Sequence, residues 1–218
     1  MRNSKIFNIN VIELQKFVYF KTPPKDIICM NLKKILDKPL IIIMAKWPRY
    51  GDCKTRLSRD IGKENALRIQ NKMLHHTFAI SNYLNKMDIA EICLAINGIG
   101  FNKSQRWCKK LGIQNFYFQG KGCLGEKMRR QILNTQRDLK NNNKNLIFIG
   151  TDLPNLCHLD ILETISKLNK SDVILGPSND GGYWLIALSR KILTYYSFTP
   201  FINIKWSSDN VLKKTIEN

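Results

Sequence analysis

Residues 40–45 read Leu-Ile-Ile-Ile-Met-Ala, an unbroken apolar run that closes on Lys46. An alternating run would mark a strand with one wet face. An unbroken one marks a strand covered on both faces, the habit of parallel sheets held between two layers of helix. The residues that follow form a loop, since Pro48 and Gly51 interrupt any regular helix, and they place Lys46, Arg49, Lys54 and Arg56 within a short stretch. A buried strand that opens at its carboxyl end into a basic, glycine-containing turn is where open α/β sheets hold a phosphate-bearing ligand, because backbone N–H groups and cations converge there.

The turn is not a P-loop, which needs Gly directly before its Lys; Cys53 holds that place. It reads G-x-x-K-T-R instead. Gly51 lets the backbone approach a ligand, Lys54 supplies a point charge, and Arg56, next to Thr55, supplies a planar fork suited to a diphosphate or triphosphate. The plainer alternative is a solvated basic loop.

Strand and helix patterns alternate along the rest of the chain. A helix is expected from Gly62-Lys63-Glu64 onward, with Ala66, Ile69, Met73, Ile80 and Leu84 on its apolar face and Leu67, Leu74 and Phe78 widening it. His75 and His76 on that helix point about 100° apart and suit solvated or capping roles rather than one metal. Strands are expected at 89–96, 115–119, 146–149 and 172–175, and helices at 102–111, from Leu124 with Met128, Ile132 and Leu139 on its face, and at 159–168. A terminal helix is expected to begin near Ser207-Ser208-Asp209, an N-cap cluster. The pattern predicts one three-layer α/β/α sandwich domain with a mostly parallel sheet over residues 39–218. Residues 1–38 form an extension without chemistry, Met30 is a credible true start, and residues 1–29 are expected to be dispensable.

Composition narrows the function classes. The 218 residues are 44% apolar, enough for a real core, and no apolar run reaches membrane-span length. The basic N-terminus is not followed by the apolar region of a signal peptide, so the expected compartment is the cytoplasm. The six cysteines include no C-x-x-C pair, which argues against a disulfide framework or a zinc site; Cys93 reads as a small buried hydrophobe and Cys53 as filler. The net charge of +18 raises the question of nucleic acid, but the cations are spread along the whole chain, and Lys, Asn and Ile together make about a third of it, the usage of an AT-rich genome. No nucleic-acid-binding motif accompanies them, so nucleic acid is not an expected partner.

Three loops carry the unusual residues, and each follows an apolar strand: 46–56, 150–154 and 176–184. In a parallel sheet all three emerge at one edge, where residues a hundred apart can meet one ligand. Asp152 follows its strand directly, in position to hold a hard divalent cation that also touches phosphate oxygens, or else to cap a helix. Asp180-Gly181-Gly182-Tyr183 sets a carboxylate beside two residues without Cβ, which permits close approach to a ligand and equally suits a tight hairpin turn.

Taken together these loops resemble those of a bacterial family with the GT-A-like nucleotide-diphospho-sugar transferase fold. Its members are described as glycosyltransferases, some linked to arsenosugar biosynthesis, and are distantly similar to molybdenum-cofactor and phospholactate guanylyltransferases. The matching pieces are Ala45-Lys46-x-Pro48 with Gly51-x-x-Lys54-Thr55-Arg56-Leu57, Gln119-Gly120 with Leu124-Gly125-Glu126-x-Met128, Gly150-Thr151-Asp152-x-Pro154, Leu175-Gly176-Pro177 with Asp180-Gly181-Gly182-Tyr183, and Trp206-Ser207. Where the family more often has Asp, this chain has Cys123, which leaves Glu126 as the nearest acid.

The resemblance implies a nucleotide sugar or nucleoside triphosphate across Lys46, Gly51, Lys54, Thr55 and Arg56, and Mg²⁺ or Mn²⁺ on Asp152. Asp180 would be a second metal ligand or the group that orients a hydroxyl of a small-molecule acceptor. Gly125, Glu126, Gly181, Gly182 and Tyr183 are the expected acceptor-side or loop-shaping residues. The expected activity is a metal-dependent glycosyl transfer. The alternatives are a nucleotidyl transfer that releases pyrophosphate and a nucleotide-binding protein without turnover.

Overall fold

The computed structural model describes residues 9–11, 38–138, 140, 143–195 and 198–218. Its strands are β1 (Ile9–Val11), β2 (Leu40–Lys46), β3 (Glu91–Asn97), β4 (Asn115–Phe118), β5 (Leu146–Ile149), β6 (Val173–Pro177) and β7 (Tyr183–Leu188). Its helices are α1 (Leu57–Lys86), α2 (Phe101–Leu111), α3 (Leu124–Arg137), α4 (His158–Leu168), α5 (Arg190–Tyr195) and α6 (Val211–Glu217), with a 3₁₀ turn at Thr199–Phe201.

The apolar run becomes β2, an interior strand of one sheet ordered β1-β6-β7-β5-β2-β3-β4. Leu40, Ile41, Ile42, Ile43 and Ala45 have no exposed surface, as the unbroken pattern requires, and each large side chain so buried contributes about 1.5–3 kcal/mol. Strand periodicity sorts them. Ile41, Ile43 and Ala45 join Leu74, Phe78, Cys108, Ile161 and Ile165 in a core under α1, α2 and α4. Leu40 and Ile42 join Met128, Ile132, Ile192 and Phe201 in a second core under α3, α5 and the 3₁₀ turn. The result is the expected three-layer α/β/α sandwich.

The sheet is parallel except at β7, which runs antiparallel to both β5 and β6. With β7 reversed between them, β5 and β6 still point the same way as β2. The carboxyl ends of β2, β5 and β6 therefore lie at one edge and deliver the three loops together. No helix among the described residues is long and apolar enough to cross a membrane.

Several boundaries differ from expectation. A helix follows Gly62-Lys63-Glu64 as expected; the addition is a short helical segment at 57–61 before it, and the two parts of α1 are divided at Gly62, whose φ 81° and ψ 159° are not helical and suit a residue without Cβ. Its buried face is Ala66, Gln70, Leu74, Thr77, Phe78, Ser81 and Leu84, whereas Ile69, Met73 and Ile80 are only partly covered. Of the polar residues on that face, Ser81 bonds locally, its hydroxyl donating to the Thr77 carbonyl at 2.9 Å. The terminal helix begins at Val211 rather than near Ser207, because residues 205–210 form turns in which Ser207 has φ +66°.

Near the N-terminus, β1 adds an edge strand, with Ile9, Asn10 and Val11 opposite Val173, Ile174 and Leu175. This is a sheet role that the sequence reading of residues 1–29 did not include. Met30, Cys29 and Leu139 lie outside the described residues. Cys93 is buried as expected, and desolvation pushes its thiol well above the usual range; burial likewise raises Cys108 to about 11. His76 takes a role other than the solvated or capping one expected: it is half-buried, and its Nε2 donates to the Leu156 carbonyl at 2.8 Å.

Candidate functional site

The loop after β2 folds back on itself through its own polar atoms. Lys46 Nζ donates to the Asp52 carbonyl at 2.9 Å, and the buried Cys53 thiol donates to the Arg49 carbonyl at 3.1 Å. Gly51 makes the turn at φ +80°, and Lys54 follows at φ +47°, a conformation that non-glycine residues enter rarely and at a cost. That backbone turns the Lys54 side chain inward, where it is only 17% exposed, and brings Nζ to 3.0 Å from Asp152 Oδ1. Arg56 occupies the N-cap position of α1.

Asp152 leaves the end of β5 through Gly150 and Thr151, with its side chain 64% exposed. It meets Lys54 across a cleft of about 730 Å³, lined also by Met44, Lys46, Thr55, Arg56 and Gln70. Five predicted residues, Lys46, Lys54, Thr55, Arg56 and Asp152, thus meet in one place. Among the described residues no three His, Cys, Asp or Glu side chains gather closely enough to hold a metal ion by themselves. A divalent cation on Asp152 would complete its shell with phosphate oxygens and water, the usual manner of Mg²⁺ at phosphate sites, and the oxygen donor fits a hard cation.

The third loop is a hairpin between β6 and β7. It spans five residues rather than a two-residue turn: Ser178 N–H donates to the Gly182 carbonyl and Gly181 N–H to the Ser178 carbonyl. Asp180 Oδ1 accepts from the Ser178 hydroxyl and from Gly182 N–H at 3.2 Å. The Ser178 hydroxyl, then the Gly182 N–H, hold the Asp180 carboxyl below the usual aspartate range, so it stays ionised at neutral pH.

Asp180, Gly182 and Tyr183 line a second cleft of about 450 Å³ with Trp206 and Asp209. Arg56 and Leu124 line both clefts, so the two adjoin. Asp152 and Asp180 line different clefts.

Four expected residues line neither cleft and act through their backbone or neighbours. Gly51 shapes its turn. Gly181 has φ +78°, and a Cβ there would fall 1.9 Å from the Asp209 carbonyl oxygen. A Cβ on Gly125 would fall 2.6 Å from Trp206 Cζ2. Glu126 caps α3: its Oε2 accepts the Cys123 N–H at 2.7 Å, and that bond lowers its pKa. Desolvation by burial pushes the Tyr183 phenol upward.

Gln70 is absent from the sequence reading, which gave Asp209 only a capping role and Trp206 no site role. Gln70 carries no chemical signal on a helix. Asp209 and Trp206 reach the cleft only because the hairpin packs against the turns before α6.

The fold has a known counterpart. A crystal structure from Desulfovibrio desulfuricans G20, described as a candidate nucleotide-diphospho-sugar transferase, has the same fold at 22% identity, with TM-score 0.71, over 84% of this chain and 75% of that one. The 4-diphosphocytidyl-2C-methyl-D-erythritol synthase of Anaerococcus prevotii DSM 20548 aligns at 15% identity and TM-score 0.48, over 84% of this chain and 83% of that one. No curated protein matches the chain. The family described as an uncharacterized protein conserved in bacteria, DUF2064, matches residues 81–208, from within α1 to the turns before α6, and this protein belongs to it.

Proposed function

We propose that this protein is a nucleotide-dependent transferase, a glycosyltransferase that takes a nucleotide-diphosphate sugar as donor and a small hydroxyl-bearing molecule as acceptor. The observation that carries the reading is the larger cleft at the carboxyl edge of the sheet, where Lys46, Lys54 and Arg56 surround Asp152. The transferase-like fold supports it.

The donor diphosphate lies across the three cations, Lys54 and Lys46 acting as point charges and Arg56 as a fork. They stabilise the charge that develops on the diphosphate as it leaves, in a cleft that strengthens such interactions over water. Asp152 is the residue to hold Mg²⁺ or Mn²⁺, and such a cation would add charge neutralisation on the same diphosphate. Arg56, shared by both clefts, puts the donor beside Asp180, whose carboxylate receives the acceptor hydroxyl.

The test is a melting-temperature screen of nucleoside diphosphates, triphosphates and nucleotide sugars, with and without Mg²⁺ or Mn²⁺, because a ligand that binds only the folded chain raises its stability. Product analysis follows. Release of nucleoside diphosphate supports glycosyl transfer, release of pyrophosphate marks a nucleotidyltransferase instead, and binding without either product marks a non-catalytic binder.

The lowered Asp180 pKa gives a pH prediction. The folded pKa lies below the unfolded one, so the group favours the folded, ionised state above the unfolded pKa and loses that contribution as pH falls through the folded pKa. The acid limb of the rate profile is expected below the usual aspartate range. Ser178→Ala removes the largest cause and should move that limb toward higher pH; an unmoved limb would assign it to another group.

A further inference from the structure

The two clefts differ in charge. The larger sets Lys46, Lys54 and Arg56 against Asp52 and Asp152. The smaller contains Asp180 and Asp209, and its one cation, Arg56, stands on the shared border. Its apolar surface is aromatic: the Trp206 and Tyr183 rings lie 6.4 Å apart between centroids, at 79°. The indole is firmly seated, because Gly125 lets α3 approach it closely and Phe201 packs on it at 6.5 Å. The backbone just after it, at Ser207, has φ +66°, a strained conformation that persists only where the surroundings fix it.

Asp180 is oriented in the same way. Its Oδ1 accepts from the Ser178 hydroxyl and the Gly182 N–H, and its own N–H also faces the carboxylate. The carboxylate is thus held in one orientation and ionised, in the cleft that Trp206 and Tyr183 also line.

Resting on the transferase reading above, we propose that the second cleft binds the acceptor and that this acceptor is an uncharged hydroxyl-bearing ring, a sugar or cyclic polyol. Its apolar C–H face lies on Trp206, and one hydroxyl donates to Asp180 Oδ2. A volume of about 450 Å³ accommodates a ring of this size with its substituents. A phosphate ester is rejected, because its charge would face Asp180 and Asp209 while Arg56, the one cation among the residues that line the cleft, is engaged by the donor diphosphate.

In the transfer the acceptor oxygen bonds to the anomeric carbon. The bond from that carbon to the diphosphate breaks, and its electron pair leaves on the phosphate oxygen. The hydroxyl proton passes to Asp180 Oδ2. A carboxylate held below its usual pKa is a weak base, so the proton moves late, once bond formation has made the acceptor oxygen acidic.

The experiment uses the full chain with the nucleoside diphosphate that most raises its melting temperature. Saturation-transfer NMR is then recorded on a panel of methyl pyranosides and cyclic polyols, each paired with its phosphate monoester. Ring C–H protons of uncharged members are expected to saturate, with affinity at least tenfold above that of their phosphate esters. Trp206→Ala should abolish that saturation, and Trp206→Phe, which keeps an aromatic wall, should retain part of it. Asp209→Lys, at an exposed position, should erase the discrimination against phosphate.

Phosphate esters that bind as well as the uncharged rings, a folded Trp206→Ala protein with unchanged saturation, or nucleotide binding with no bound ring would each overturn the proposal. Failure of every nucleoside diphosphate to shift the melting temperature would instead strike the transferase reading itself.

Discussion

Asp180→Asn is expected to lower turnover by about 10²- to 10⁴-fold, the range for loss of a positioned acid or base, while nucleoside diphosphate affinity stays as it was. The geometry makes the substitution nearly isosteric. The Asn carbonyl oxygen can take the place of Oδ1 and keep the bonds from Ser178 and Gly182, so the hairpin is preserved. The amide NH₂ then stands where Oδ2 stood, and a donor faces the acceptor hydroxyl in place of a lone pair. The charge is lost as well. Because Lys46 and Lys54 line only the other cleft and Arg56 stands where the two adjoin, titration calorimetry with nucleoside diphosphate should give the wild-type dissociation constant. Unchanged turnover would remove Asp180 from the chemistry.

What was legible in the sequence follows from the range of the forces involved. The interior strands were visible because burial on both faces leaves an unbroken apolar run, and β2 and β5 fall where such runs stand. Convergence of the three loops was visible for the same reason, since parallel strands share an edge; even the reversal of β7 leaves the ends of β2, β5 and β6 together.

The helix beyond Gly62 was legible from its apolar spacing, whereas the helical segment at 57–61 was not, because it is too short to show a period and the non-helical Gly62 divides it from the rest. Glu126 stood out as an acid in a glycine-rich turn. Its spacing from Cys123 is that of a capping box, a signal obscured because Cys stands where Ser or Thr is usual. Trp206 stood out in a matching motif and Asp209 in a capping cluster, but nothing local showed that they form one wall with the hairpin. It exists through contact between a hairpin and turns almost thirty residues further on, and no periodicity reports a contact of that separation.

That contact is also where a single methyl group should do the most harm. Gly181→Ala is expected to destabilise the protein by about 2–5 kcal/mol, the sum of a non-glycine residue forced into the left-handed region and of overpacking against a group that cannot move aside. The added Cβ would sit 1.9 Å from the Asp209 carbonyl oxygen and 2.5 Å from its carbon, atoms of the main chain rather than the end of a flexible side chain.

Nor can the two segments simply part. Leu212 N–H, in the first turn of α6, donates to the Gly181 carbonyl at 2.9 Å, so relief of the clash breaks the bond that docks α6 on the hairpin. Asp180 and Tyr183 line one side of the second cleft and Asp209 and Val211 the other, so the same movement opens it. Thermal unfolding should show a loss of about 5–15 °C for a domain of this size. Gly182→Ala is the control. Its Cβ would meet Asp180 Oδ1 at 3.3 Å and Ser178 Oγ at 3.4 Å, both side-chain atoms that can yield, and its backbone has no positive φ. Equal melting temperatures for the two variants would show that the Gly181–Asp209 contact does not hold the hairpin and the C-terminal turns together.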